Sequence, residues 1–226
     1  MRNIVLIGMP GSGKTTISKA LSKSIDWPVI DLDEYLVDYF KMSIPEMFEI
    51  SEDYFRSLET KVCKLLKDKQ NTILSCGGGV VLREENIAYL KQNGIVCLLN
   101  RDLEIIMEDV DTTSRPLLKE GKNKLIKLYE ERWPLYLKSA DIIIDNNSTI
   151  EQTIDQLKKV IEWLPFYFVV LPNPPLRISF VSSSSVIPNG KKIPCMKPSP
   201  CLSSKTFPSL ESFVIFAKIW PSLSDP

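Results

Sequence analysis

Histidine is absent from the 226-residue chain, which removes the usual general base of neutral-pH catalysis and one of the commonest metal ligands. Any base the chain uses is therefore expected to be a carboxylate. Net charge is absent too: 28 Lys and Arg balance 28 Asp and Glu. No global basic field draws nucleic acid or an anionic membrane, and neither is expected as a partner. Cysteine is sparse, and Cys63, Cys76 and Cys97 are too widely spaced for a zinc-like cluster. The five cysteines read as buried thiols of a reducing compartment rather than a disulfide framework. No apolar run approaches the ~20 residues of a membrane span. The first run breaks at Gly8, too early for a secretory signal, so a cytoplasmic location is expected. Glycine is scarce as well, but six of the nine fall in two short stretches, 8–13 and 77–79.

Up to about residue 164, apolar runs of strand length alternate with helical patterns. The strand candidates are NIVLIG at 3–8, VIDL at 29–32, TILS at 72–75, IVCLLN at 95–100 and DIIID at 141–145. Helical spacing covers 14–25, 33–40, 52–69, 84–92, 102–109, 122–138 and 149–163. This alternation predicts an α/β fold with a parallel sheet between helices. Ser148 and Thr149, followed three residues on by Glu151 and Gln152, mark the start of the last helix. Beyond Leu164 the composition changes: eleven of sixteen prolines lie in 165–226, with one glycine, the run SSSS, and six Lys or Arg against two Asp or Glu. A catalytic domain over 1–164 followed by a poorly ordered extension over 165–226, without regular elements or catalytic duty, is expected.

GMPGSGKT at 8–15 satisfies G-x-x-x-x-G-K-[ST] between a strand and a helix. There the backbone around Gly11, Ser12, Gly13, Lys14, Thr15 and Thr16 is expected to converge on phosphate at a helix N-terminus. Lys14 supplies charge to the β/γ-phosphates, and Thr15 offers a hydroxyl to Mg²⁺.

Five further constellations bear on the acceptor and on closure over the nucleotide. Asp31 and Asp33, two apart at the end of a strand, are expected to point the same way at the carboxyl edge of the sheet, one serving Mg²⁺ and the other a substrate hydroxyl. A helix cap followed by a solvated acid is the alternative. Arg56 and Glu59 lie three apart on a helix, the spacing of an ordinary surface pair. Gly77, Gly78 and Gly79 allow close backbone approach to a ligand. Arg115 falls in a polar connection that could close over a nucleotide, and Arg132 precedes Pro134 in a helical stretch, where the disturbance could aim its guanidinium inward.

Taken in order, the phosphate loop, D-x-D at 31–33, F-R-x-x-E at 55–59, G-G-G at 77–79, R-P-L-L at 115–118 and E-R-x-P-L-Y at 131–136 resemble shikimate kinase over about residues 2–163. The resemblance implies a three-layer P-loop kinase fold with a five-stranded parallel sheet in the order 2-3-1-4-5 and a lid. It implies MgATP-dependent phosphorylation of the shikimate 3-hydroxyl, with shikimate and ATP as small-molecule partners and a monomer as the working form. Among the residues, it implies Lys14 and Thr15 on phosphate and Mg²⁺, Asp31 reaching the metal through water, and Asp33 on the reacting hydroxyl. It further implies Arg56 and Arg132 on the substrate carboxylate, the Gly77–Gly79 backbone completing the pocket, and Arg115 as the lid arginine on the ATP phosphates. Where the family commonly has an arginine and a threonine ahead of the lid, this chain has Glu108 and Asp109. A kinase of the same fold acting on gluconate or a nucleoside monophosphate, and a non-catalytic nucleotide-binding protein, are the competing expectations.

Overall fold

Five apolar segments of three to seven residues supply the parallel strands: β1 (Asn3–Ile7), β2 (Val29–Asp31), β3 (Ile73–Ser75), β4 (Gly94–Asn100) and β5 (Ile142–Asp145). The computed structural model describes residues 2–109 and 122–170, together with 178–179 and 216–217. The five strands pair in the order β2-β3-β1-β4-β5, with Leu6 opposite Ser75 on one side and Cys97 on the other. Two short strands, β6 (Ile178–Ser179) and β7 (Phe216–Ala217), extend the sheet beyond β5, the first parallel and the second antiparallel. They correct the expectation that the extension holds no regular element: the open edge of β5 offers unpaired backbone groups that a short segment can satisfy.

Both faces of the sheet are covered, which is why its strands read as continuous apolar runs rather than alternating ones. From β1, Ile4 and Leu6 face a cluster with Ile17 and Leu21 of α1 (Lys14–Ile25) and Leu157 and Val160 of α8 (Ile150–Val170). Val5 and Ile7 face the opposite cluster. That cluster takes Leu36 of α2 (Leu32–Phe40), Met47 of α3 (Ile44–Ile50), Leu58, Val62 and Leu66 of α4 (Glu52–Leu66), Leu90 of α5 (Glu84–Gln92), Ile106 of α6 (Leu103–Asp109) and Tyr136 of α7 (Lys122–Ser139). Full burial of each such side chain contributes roughly 1.5–3 kcal/mol. Among the described residues Cys63, Cys76 and Cys97 are free and buried, and burial pushes all three thiols up.

Two boundaries differ from expectation. Helix α3 is additional, started by a capping box in which Glu46 N donates to Ser43 Oγ and Ser43 N to the Glu46 carboxylate. Ser51 then ends α3 and caps α4, its hydroxyl accepting from Tyr54 N at 3.0 Å. Helix α8 runs on through Pro165 to Val170 instead of ending at 163.

Candidate active site

All five principal strands run parallel, so their carboxyl ends share one edge, and the polar constellations collect there. The phosphate loop leaves β1 at Gly8 and enters α1 at Gly13. Gly8, Gly11 and Gly13 have φ of 151°, 86° and 83°, a region that disfavours side chains. Gly13 is the N-cap of α1 and brings no side-chain cap, so the first-turn N–H groups remain available to an anion. Lys14 spans the loop, its Nζ donating to the Gly8 and Met9 carbonyls at 2.9 Å each. Thr15 and Thr16 are exposed in the first turn of α1. Ser12 is fully buried, and its carbonyl accepts from Asn146 Nδ2 at 2.7 Å. Asn146, held by Thr153 Oγ1 at 2.8 Å, braces the loop from the end of β5. It escaped sequence reading, although the polar run DNNST after an apolar strand marks its position.

Asp31 is the last residue of β2 and the N-cap of α2; its Oδ1 accepts from Asp33 N at 3.1 Å. Asp33 therefore stands in the first turn of a helix, a correction to the expectation that both acids project from one strand. The local reason is the cap itself, which turns the chain immediately after Asp31. Asp31 Oδ2 accepts from Thr15 Oγ1 at 3.2 Å and from Ser75 Oγ at 3.1 Å. Buried Ser75, from β3, was also missed by sequence reading. Oxygen donors of this kind suit a hard cation such as Mg²⁺, which binds through one or two protein ligands plus waters and phosphates. Among the described residues no cluster of three or more His, Cys, Asp or Glu could form a closed metal cage.

Each glycine of the triplet makes room for a different neighbour. A β-carbon on Gly77 would lie 2.9 Å from Asp33 Oδ1, one on Gly78 3.0 Å from Pro10 Cγ, and one on Gly79 2.2 Å from Arg56 Nη1. The triplet thus brings the D-x-D, phosphate-loop and F-R-x-x-E segments together. Arg56 and Glu59 are no surface pair: their side chains are 11% and 3% exposed, and Nη1 meets Oε2 at 3.1 Å. Arg56 Nη2 also donates to Glu52 Oε1 at 3.2 Å, while its buried Nε has no hydrogen-bond partner among the described residues. From α7, which continues through Pro134, Arg132 Nη1 and the Tyr136 hydroxyl both donate to the Gly78 carbonyl, at 3.1 and 2.5 Å.

Burial raises the Asp33 carboxyl above its usual value, and neighbouring Asp31 adds to the rise, while Lys14 and Arg56 oppose it. Glu59 is raised by burial and by Asp33, against Arg56 and Arg132. Two acids and two arginines therefore share a partly desolvated pocket beside the phosphate loop. Arg115 belongs to 110–121 and lies outside the described residues.

The sequence model of the shikimate kinase family matches residues 10–162. The chain belongs to the shikimate kinase family. Over 162 residues it is 46% identical to a shikimate kinase of Clostridium beijerinckii, a match covering 71% of this chain and 96% of that protein. It is 43% identical to one of Clostridium botulinum strain Alaska E43, with 71% and 98% covered. Among solved structures it is similar to the shikimate kinase from Acinetobacter baumannii in complex with shikimate, with a TM-score of 0.65, 30% identity, and 76% and 96% of the two chains covered. The shikimate kinase of Aquifex aeolicus gives 0.63, 35% identity, and 72% and 98%. The sheet order β2-β3-β1-β4-β5 is the one expected for this family.

Proposed function

We propose that the chain transfers the γ-phosphoryl group of ATP to the 3-hydroxyl of shikimate, releasing ADP and shikimate 3-phosphate. The observation that supports this substrate is the triple-glycine segment, which gathers Asp33, Arg56 and Arg132 at one place beside the phosphate loop. Two guanidinium groups match a carboxylate bidentately. An acceptor with no anionic group leaves both arginines unused. The pocket floor of Gly77–Gly79 presents backbone where side chains would exclude a ring.

In this reading the amides of Gly11, Ser12, Gly13, Lys14, Thr15 and Thr16 cradle the ATP phosphates, and Lys14 Nζ exchanges its two carbonyl partners for β/γ oxygens. Thr15 and Asp31 fit Mg²⁺, Asp31 through water, and the ion would neutralise charge on the phosphates. Asp33 orients the 3-hydroxyl and accepts its proton as the oxygen bonds to phosphorus and the bond to ADP breaks. With a loose transition state that proton moves late, so orientation by Asp33 contributes at least as much as basicity. Arg56 and Arg132 hold the acceptor carboxylate, and Arg115 closes over the transferring group from the lid.

No described helix is long and apolar enough to cross a membrane. A cytoplasmic monomer is the proposed form, with catalysis confined to residues 1–164. The test is direct: incubate the full chain with MgATP and shikimate and locate the new phosphate by ³¹P–¹H coupling. Coupling to H3 supports the reading; an unphosphorylated acceptor refutes it.

A further inference from the structure

The acceptor pocket lies to one side of the phosphate loop, over β2 and β3, where Asp31, Asp33, Ser75 and Gly77–Gly79 are placed. A nucleotide whose γ-phosphate faces that pocket has its α-phosphate and nucleoside on the other side, over β4 and β5. Arg101, the first residue after β4, stands there. Its Nη1 is 3.8 Å from the point where a Gly13 β-carbon would be, which puts the guanidinium against the N-cap of α1. Its side chain is only 22% exposed, its buried Nε has no hydrogen-bond partner among the described residues, and Nη2 is paired with the exposed Asp109. The adjoining loops are clasped: Asp102 N donates to Asn147 Oδ1 at 2.7 Å, and Asn147 Nδ2 to Asp102 Oδ1 at 3.2 Å. A second cation held on a rigid edge beside a helix N-terminus is a phosphate-binding arrangement, and Lys14 already serves the far end of the loop.

The geometry points to Arg101 as a nucleotide-binding residue of this chain that holds the α-phosphate of ATP, with Asp109 as the partner it keeps in the absence of nucleotide. An ion pair with so exposed a carboxylate is weak, so a phosphate competes with it readily. The inference rests on the proposed kinase reading in taking ATP as the nucleotide and in pointing its γ-phosphate at the acceptor pocket.

Calorimetric titration of the full chain with MgADP and with adenosine, in the absence of any acceptor, tests it. Arg101→Ala is expected to weaken MgADP by about tenfold, to leave adenosine unchanged, and to recover part of the loss as Arg101→Lys. Asp109→Asn keeps the guanidinium and removes its competitor, so MgADP binds at least as tightly as to the wild type. MgADP affinity within twofold of wild type in folded Arg101→Ala, an equal loss for adenosine, or weakening by Asp109→Asn would each overturn the assignment. A wild-type chain that binds MgADP but leaves shikimate unphosphorylated contradicts the proposed function and not the role of Arg101.

Discussion

Asp33 lies directly against Gly77, so that a β-carbon there would fall 2.9 Å from Oδ1 and 3.4 Å from Oδ2. Gly77 has no positive φ, so alanine is compatible with the backbone and its methyl group meets the Asp33 carboxylate first. Gly77→Ala is expected to lower kcat by about 100-fold, the scale of a misplaced catalytic group. The melting temperature should stay within a few degrees of wild type, as read by steady-state rates and thermal unfolding on the same preparation.

In the proposed reaction the raised carboxyl of Asp33 sets the acid side of the pH profile. Its usual value is 3.8, and burial first, then Asp31, moves it up against Lys14 and Arg56. In that reaction the ionised form accepts the hydroxyl proton, so activity is expected to fall as pH drops through the raised value. The acid limb of kcat/KM therefore lies above pH 3.8, and Asp33→Asn abolishes that limb along with most of the rate. A limb that persists in Asp33→Asn assigns the titration to another group.

Lys14 donates to two loop carbonyls, and in the proposed reaction its charge goes to the transferring phosphoryl group. Lys14→Ala is expected to lower kcat by about 100- to 1,000-fold, by analogy with removal of one preorganised electrostatic donor. Retention of a tenth of the wild-type rate in a single-turnover assay contradicts the assignment.

The Gly78 carbonyl accepts from both Arg132 and Tyr136. Burial pushes the Tyr136 phenol up to about 12, so it stays a donor throughout the working range. Tyr136→Phe removes one of the two ties and is expected to cost about 1 kcal/mol of stability while raising the shikimate KM severalfold and leaving the ATP KM unchanged. Arg132→Ala raises the shikimate KM further, by about tenfold or more. Equal changes in both KM values would show a general loss of structure instead.

Much of this arrangement is legible in the residues themselves. The break of an apolar strand at Gly8, followed by Gly11, Gly13 and Lys14, carries its geometry in its spacing because only a strand-to-helix turn places those glycines usefully. The five strands are legible for a similar reason: burial on both faces leaves uninterrupted apolar runs. Helix α3 was hidden by its seven-residue length, although Ser43 and Glu46 spelled its cap. Asp31 and Asp33 misled through their spacing, since a period of two describes a strand only while the strand lasts, and Asp31 ends it. The burial of Arg56 and Glu59 was invisible because their three-residue spacing is the same on a wet face as on a dry one. Part of what covers Arg56 is Gly79, twenty-three residues away in sequence and beside its guanidinium in space. Ser75 is a single polar residue at a strand end, while Asn146 and Arg101 sit in polar runs after one, and neither setting tells which residue reaches the phosphate loop until the sheet order sets them around it.

The central claim is that two arginines and an acid around the triple glycine select a carboxylate-bearing alcohol. Its most direct test is ADP release by the full chain from MgATP with shikimate, gluconate and AMP offered separately. The account predicts turnover with shikimate at a kcat/KM at least about 100-fold above either competitor: AMP has no carboxylate, and gluconate carries one on an open chain that does not hold a hydroxyl at Asp33 while the carboxylate is on the arginines. Comparable or faster turnover with gluconate or AMP, or none with shikimate, would contradict it.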